Sequence, residues 1–306
     1  MKIAITGGAG FIGSHVVDAY ISAGHEVVIL DNFSTGKREN INPDARVVEI
    51  DITSADIDLL FKNEKFDILN HHAAQIDVRV SVNDPLFDAR LNILGGINLY
   101  EASVKYKVKK IIFASSGGTV YGEQEVFPAD ETHPTRPLSP YGIAKLTNEH
   151  YLYYYANNYK IDYVALRYGN VYGPRQNPHG EAGVVAIFAN KLLDGTQPII
   201  NGDGKQTRDY VYVSDVARAN VLVLREQAKG IYNIGTGEEI DVNIIFSMLR
   251  ETVNPQCEEI HGKAQKGEQK RSCLSYQKIY DELGWKPQMD FTLGLKQTVG
   301  FFYQQI

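Results

Sequence analysis

Tyr141 and Lys145 stand four residues apart in the run Ser139-Pro140-Tyr141-Gly142-Ile143-Ala144-Lys145. On a helix, positions i and i+4 share a face. A phenol with its ordinary pKa near 10 is a poor base at neutral pH. A neighbouring ammonium favours the phenolate and draws that pKa down. A phenol tuned in this way can take the proton of an alcohol while hydride leaves the same carbon. The spacing alone is common in a chain with 19 tyrosines, so its surroundings must decide. The run Phe113-Ala114-Ser115-Ser116-Gly117-Gly118-Thr119-Val120-Tyr121-Gly122 precedes it. A hydroxyl at the carboxyl end of a strand points into the crevice of an open α/β sheet. There it can orient a reacting oxygen beside Tyr141.

A second group of residues suits a dinucleotide. Thr6-Gly7-Gly8-Ala9-Gly10-Phe11-Ile12-Gly13 has the spacing G-x-x-G-x-x-G. Gly7 permits a tight turn, Gly10 lets backbone approach a pyrophosphate, and Gly13 allows close helix–strand packing. The helix start then offers unpaired N–H groups to phosphate. Asp31 follows at the end of the second strand pattern, where a carboxylate can hold both hydroxyls of an adenosine ribose. It repels a 2′-phosphate, which favours NAD over NADP, although Lys37 and Arg38 lie close by. The alternative for Asp31 is a plain Asp31-Asn32 turn. Asp51-Ile52, after the third strand pattern, either flanks an adenine or opens the next helix.

These groups need a scaffold, and the chain's periodicity supplies one. Apolar runs read as strands at Lys2–Thr6, Glu26–Leu30, Arg46–Ile50, Asp67–Asn70, Lys110–Ala114 and Tyr163–Arg167. Amphipathic patterns at Phe11–Ala23, Ser54–Lys62, Pro85–Tyr106 and Pro140–Asn158 alternate with them. The alternation predicts an α/β fold, a doubly wound parallel (Rossmann) sheet covered on both faces. Its ligand belongs at the carboxyl ends of the strands. Beyond residue 170, Gly and Pro become frequent, and helices are expected at Val184–Leu193, Ser214–Glu226 and Val242–Val253. The expected division is 1–170 for the dinucleotide and 171–306 for a smaller, loop-rich α/β substrate region. Segments such as Gly230–Ile234 are expected to rejoin the first sheet.

Composition bounds the partners. The 306 residues carry a net charge of −6, which argues against nonspecific nucleic-acid binding. No apolar run approaches the about 20 residues of a membrane helix, so no membrane partner is expected. The N-terminus runs straight into a strand pattern, against a signal peptide. Cys257 and Cys273 cannot build a disulfide framework, and a cytoplasmic home is expected. His71-His72 has no neighbouring ligand set, so no metal is expected and a backbone-bonded histidine is the simpler reading. Lys105, Lys107, Lys109 and Lys110 read as a solvated helix end. Tyr151, Tyr153, Tyr154 and Tyr155 read as a buried or subunit-contact face.

Taken in order, several motifs form one pattern. They are the glycine loop, Asp31, His72-Ala73-Ala74, the Ser-Ser…Val-Tyr-Gly segment, Tyr141…Lys145 and Arg167-Tyr168-Gly169-Asn170-Val171-Tyr172-Gly173-Pro174. Gly202-Asp203-Gly204…Thr207-Arg208-Asp209-Tyr210 continues it. From residue 1 to about 300 the chain resembles the extended short-chain dehydrogenase/reductase family of nucleotide-sugar enzymes, in its UDP-glucose 4-epimerase branch. The resemblance implies a homodimer with bound NAD and a UDP-sugar substrate whose carbon 4 is oxidised and then re-reduced on its other face. It implies that Tyr141, Lys145 and Ser116 are catalytic. It places Asn32, Ser34, Gly36, Ala73, Ala74, Gln75, Asn92, Ser115 and Tyr168, with the glycine loop, Asp31, Asp51 and Ile52, around the cofactor. It places Ser116, Gly118, Asn170, Val184, Asn201, Arg208, Glu268 and Ser272 around the substrate.

The chain departs from the family in three places. One extra residue between Phe113 and Val120 leaves Ser116 or Ser115 as the catalytic hydroxyl, and Ser116 is preferred. Gln265 stands where the family has a diphosphate-binding arginine, which leaves Lys263, Lys266 or Arg271 as substitutes. Ser272 stands where strict glucose/galactose epimerases carry tyrosine, which leaves room for an N-acetyl group. The alternatives on this scaffold are a UDP-glucuronate 4-epimerase or decarboxylase using Arg79, and a silent NAD-binding sensor. Gly117-Gly118-Thr119 lacks the acid pair of a 4,6-dehydratase.

Overall fold

The computed structural model describes residues 1–178, 183–264 and 269–305. Its centre is a seven-stranded sheet of β1 (Lys2–Thr6), β2 (Glu26–Asp31), β3 (Arg46–Glu49), β4 (Ile68–His71), β5 (Lys110–Ser116), β6 (Asp162–Tyr168) and β7 (Gly230–Ile234). The spatial order is β7-β6-β5-β4-β1-β2-β3, and every neighbouring pair is parallel. The inner strands are buried on both faces because they are apolar along their lengths, as helices on both sides require. The order reverses between β1 and β4, and a crevice opens there at the carboxyl ends.

The longer helices are α1 (Phe11–Ser22), α2 (Asp56–Glu64), α3 (Gly95–Lys105), α4 (Pro140–Tyr159), α5 (Val184–Leu193), α6 (Val213–Leu222), α7 (Val242–Val253) and α8 (Phe291–Tyr303). Val16, Val17 and Tyr20 of α1 pack with Val216 of α6 and with Trp285 against one face. Ile57, Phe61, Leu99, Tyr100, Leu152 and Tyr155 cover the other. A separate core joins α5, α7 and α8 through Phe188, Phe246, Leu249 and Phe302. β7 extends the sheet beside β6, in register from Gly230 opposite Val164 to Ile234 opposite Tyr168.

Two expectations need correction. Pro85–Tyr106 is not one helix: Pro85–Ala89 leads into a π-helical turn at Arg90–Leu94 before α3. The wider turn coincides with close packing, because a Cβ on Gly96 would meet Asn148 Oδ1 of α4 at 2.3 Å. Lys110 is also no solvated helix end. It is buried, and its Nζ donates to the carbonyls of Val223, Arg225 and Ala228 at 3.1, 2.6 and 3.1 Å. Three fixed acceptors replace water there and tie the end of α6 to β5.

Behind the ends of β5 and β6 lies one buried ion pair. Arg167 meets both oxygens of Glu149, at 3.0 and 2.6 Å, and donates to Tyr121 Oη at 2.8 Å. Ser115 Oγ completes Glu149 at 2.6 Å. Breaking a buried pair by removing one partner costs about 3–5 kcal/mol, whereas replacing both by apolar groups is often neutral. Arg167→Met should therefore lower unfolding free energy by about that amount, and Arg167→Met with Glu149→Leu should recover most of it. Urea unfolding of the three chains checks the pairing; equal losses in the single and double variants would refute it.

Candidate active site

The cleft begins where β1 ends. Gly7 has φ +68°, and a Cβ there would meet the backbone N of Ala73 at 2.7 Å. The turn after β1 thus backs directly onto the turn after β4. A Cβ on Gly13 would meet Gly7 O at 2.2 Å, so the first turn of α1 closes onto the same loop. Phe11 and Ile12 open that helix. Asp31 accepts from Ala9 N at 3.0 Å and from Phe33 N at 2.9 Å. A carboxylate offers about four acceptor sites, so lone pairs remain for a diol. A Cβ at Gly36 would come within 2.7 Å of Asp31 Oδ1, which leaves the carboxylate's edge open. Arg38, the nearby cation, is held over the Phe33 ring and pairs with Glu49 at 2.6 Å. Ser34 N donates to Asn32 Oδ1, and Asn32 reaches Asp51, whose carboxylate also caps Thr53. Ile52 is buried beneath Gly95. A cradle with no room for a Cβ and a ribose-sized carboxylate edge fit NAD.

The reactive groups lie where β5 meets α4. Ser139 caps α4 by accepting from Gly142 N at 3.1 Å, and Pro140 starts the first turn. Lys145 is buried; its Nζ donates to Ala114 O at 2.8 Å and lies 5.6 Å from the Tyr141 ring centroid. Burial pulls Lys145 down to about 8, which the charge of Asp88 only partly opposes. Burial holds Tyr141 well above its ordinary range; Asp88 adds to that, while a hydrogen bond with Ser116 opposes it. Without a ligand, then, the lysine does not by itself make the phenol acidic, because desolvation outweighs it. Ser115 gives its hydroxyl to Glu149, so Ser116 is the hydroxyl that meets Tyr141.

Around this pair, Asn92 is buried in the π-helical turn. Its Oδ1 accepts from Gln75 N at 2.9 Å and its carbonyl accepts from Asn148 Nδ2 at 2.9 Å. Ala73 and Ala74 line the turn between. Tyr168 Oη accepts from Asn220 Nδ2 at 2.8 Å and lies 3.2 Å from His72 Nε2. His71 Nδ1 lies 2.8 Å from Thr6 Oγ1. The two histidines thus bond hydroxyl groups rather than the expected backbone. Burial, with the Lys145 charge, takes His72 down to about 3 and His71 well below its ordinary value. Both rings are neutral beside the ammonium.

The residues expected on the substrate side come mostly from later segments. A Cβ on Gly118 would lie 3.6 Å from Asn170 Oδ1 and 4.0 Å from Ser116 Oγ, so these three form one wall. Ser272 is buried and lies opposite Arg208 in a short parallel ladder. The next residues return to the catalytic loop, where Leu274 packs on Gly117. Arg271 lies opposite Thr207 instead, on the other face of that ladder, and both bond Glu239. It therefore points away from Arg208. Val184 begins α5, and Asn201 is an exposed strand residue opposite Gly262. Gln265, Lys266 and Glu268 lie outside the described residues, and Lys263 is exposed.

Sequence reasoning missed Asp88, a buried carboxylate bonded to Gln75 Nε2 at 3.1 Å and Asn92 Nδ2 at 2.9 Å. Its spacing of four from Asn92 was the available signal. The depressed Lys145 also has a stability consequence. Its native pKa lies below the unfolded value, so the penalty is full below about 8 and fades as pH rises toward 10.5. A difference of that size is on the order of 3 kcal/mol. Lys145→Met should therefore melt above the parent apo chain at pH 7, with the gap closing by pH 10. A pH-independent gap in thermal melts would refute the assignment.

The family model for the NAD dependent epimerase/dehydratase family matches residues 3–235. A putative UDP-glucose 4-epimerase of Methanocaldococcus jannaschii is 48% identical over 299 residues, 98% of this chain and 97% of the relative. The crystal structure of a UDP-glucose 4-epimerase from Thermotoga maritima, with UDP-glucose, superposes with TM-score 0.98 at 46% identity, covering 100% of this chain and 99% of that one. That of the Thermus thermophilus UDP-glucose 4-epimerase, in complex with NAD, gives 0.95 at 43% identity with both chains fully covered. On fold, cradle and likeness together, this chain belongs to the NAD dependent epimerase/dehydratase family.

Proposed function

We propose that this protein interconverts UDP-glucose and UDP-galactose by NAD-dependent inversion at carbon 4. The observation that carries this is the Ser116–Tyr141–Lys145 group at the strand ends, with Ser116 and Tyr141 half-buried and Lys145 buried, beside the Gly7–Gly13 cradle. Residues 1–170 supply most of the NAD site and 171–306 most of the nucleotide-sugar site. Bound NAD supplies the hydride acceptor and, once reduced, the donor for the return step. Once the phenolic proton has been released to solvent, as the Lys145 ammonium and a positive nicotinamide favour, the Tyr141 phenolate accepts the proton of the sugar's 4-hydroxyl as the carbon–hydrogen bond breaks, with Ser116 Oγ holding that oxygen in line. The resulting 4-keto sugar turns over in the pocket, and Tyr141 returns the proton. Lys145 keeps one N–H on Ala114 and has two left for a ribose hydroxyl. Asn170 and Arg208 hold the diphosphate, for which a planar guanidinium is suited.

The small, buried Ser272 supports acceptance of N-acetylhexosamines as well. The exposed Ile143, Tyr151 and Tyr154 of α4, with Leu86, Phe87 and Leu94 nearby in sequence to α3, form an apolar face suited to a second copy, and a homodimer is the reading we adopt. No helix among the described residues is long and apolar enough to cross a membrane. The thiols of Cys257 and Cys273 are unpaired, in keeping with a reducing cytoplasm.

Tyr141→Phe should lower interconversion of the two UDP-sugars by at least about 100-fold while NAD stays bound. A coupled assay with nucleotide analysis of the purified protein reads both, and near-parental turnover would remove Tyr141 as the base. Ser272→Tyr should reduce kcat/KM for UDP-N-acetylhexosamines more than for plain UDP-hexoses. A substrate panel giving equal losses would defeat the volume argument.

A further inference from the structure

Burying an ionised carboxylate is unfavourable unless it is hydrogen-bonded and near compensating positive charge. Asp88 is 1% exposed and lies in Pro85–Ala89, a short helix packed on α4. Its Oδ1 accepts from two side-chain amides, Gln75 Nε2 and Asn92 Nδ2. An asparagine could accept the same two bonds, so the hydrogen bonds alone do not call for an acid. Among the described residues no Lys or Arg forms a direct ion pair with it.

The groups within electrostatic reach are few. On α4 they are Tyr141 and Lys145, and among the described residues Asp88 is the one charged group acting on both. At the end of β4 stand His71 and, one residue on, His72, both neutral. From β5 come only the Ala114 carbonyl and the Ser116 hydroxyl. Glu149, one turn along α4, is committed to Arg167 and Ser115.

We propose that Asp88 is a positioning residue: a clamped, buried carboxylate that keeps the Lys145 ammonium charged inside the cleft and holds Tyr141 as a neutral phenol until a ligand brings in positive charge. The clamp fixes the carboxylate's direction, because Gln75 is itself tied to Asn92 and Asn92 is tied to Asn148 of α4. The π-helical turn at Arg90–Leu94 carries Asn92 and so sets this geometry. Asp88 thereby opposes desolvation at Lys145, and it restrains early loss of the phenolic proton at Tyr141. Both effects have one sign: removing the negative charge favours the deprotonated lysine and the phenolate alike.

The inference rests on the roles proposed above for Tyr141 and Lys145, and its test separates the two. The full chain is labelled with lysine carrying 13C at Cε, and the Lys145 resonance is identified by its loss in Lys145→Arg. In the parent it should titrate near 8. In Asp88→Asn, which keeps the acceptor for Gln75 and Asn92, the midpoint should fall by about one pH unit. Asp88→Glu should stay close to the parent, and Asp88→Ser provides a second neutral variant. In the epimerase assay both limbs of the kcat profile should move to lower pH in the neutral variants. An unmoved Lys145 midpoint in both neutral variants would overturn the proposal. A midpoint that moves while the rate profile stays in place would uphold the charge coupling and overturn the part given to Lys145 in the reaction.

Discussion

The site depends on one ammonium kept where water does not reach it. Lys145 lies on the buried face of α4, one hydrogen bond from the carbonyl of Ala114 at the end of β5. A charge in that position is unstable against losing its proton, and the surrounding residues read as a response to that fact. The two histidines at the end of β4 are neutral, so they add no repulsion. The adjacent acid on α4, Glu149, is occupied by a buried guanidinium. The sheet puts these groups together by register: Ala114, Ser115 and Ser116 of β5 stand opposite Leu166, Arg167 and Tyr168 of β6.

The same register explains why the later part of the chain is not a loose appendage. Asp209, buried, accepts from Thr236 N and Gly237 N and from Leu274 N. One carboxylate thereby pins the loop after β7 and the strand carrying Ser272 to the segment carrying Arg208. Leu274 then presses on Gly117 beside Ser116. Two distant segments thus meet the Asp209 segment because their backbone amides share its carboxylate, and packing of Leu274 adds a fourth at Gly117. Asp215 does similar work below, taking Gln288 N and Met289 N at 3.0 Å each.

Much of this was legible in the sequence, for identifiable reasons. The strands show because they are apolar along their lengths, and Val184–Leu193 and Val242–Val253 show because each has one apolar face and a definite start. Asp31 and the glycines show because their spacing answers a backbone need. What stayed hidden depends on tertiary contact. The π-helical turn inside Pro85–Tyr106 leaves the periodic pattern nearly intact, so it reads as unbroken helix. Lys110 looks like its exposed neighbours until three carbonyls from a segment over 110 residues away surround it. The sequence favours Ser116 over Ser115 only by its place before Gly117-Gly118; the position of Glu149, which takes the Ser115 hydroxyl, supplies the physical reason. α8 was not anticipated, although its apolar face completes the third core.

The Arg208 and Arg271 pair illustrates how far spacing can carry a charge argument. Both are arginines near the end of a nucleotide-sugar pattern, and either suits a diphosphate by chemistry alone. Side chains opposite each other in a ladder share a face, and successive residues alternate. Register sets Arg208 with Ser272 and Arg271 with Thr207, so the two guanidinium groups leave on opposite sides. Arg271 is then consumed by Glu239, 2.9 Å from its Nε, and by the ring of Phe127, 3.7 Å away. Arg208 is left as the guanidinium that shares its face of the ladder with the buried Ser272.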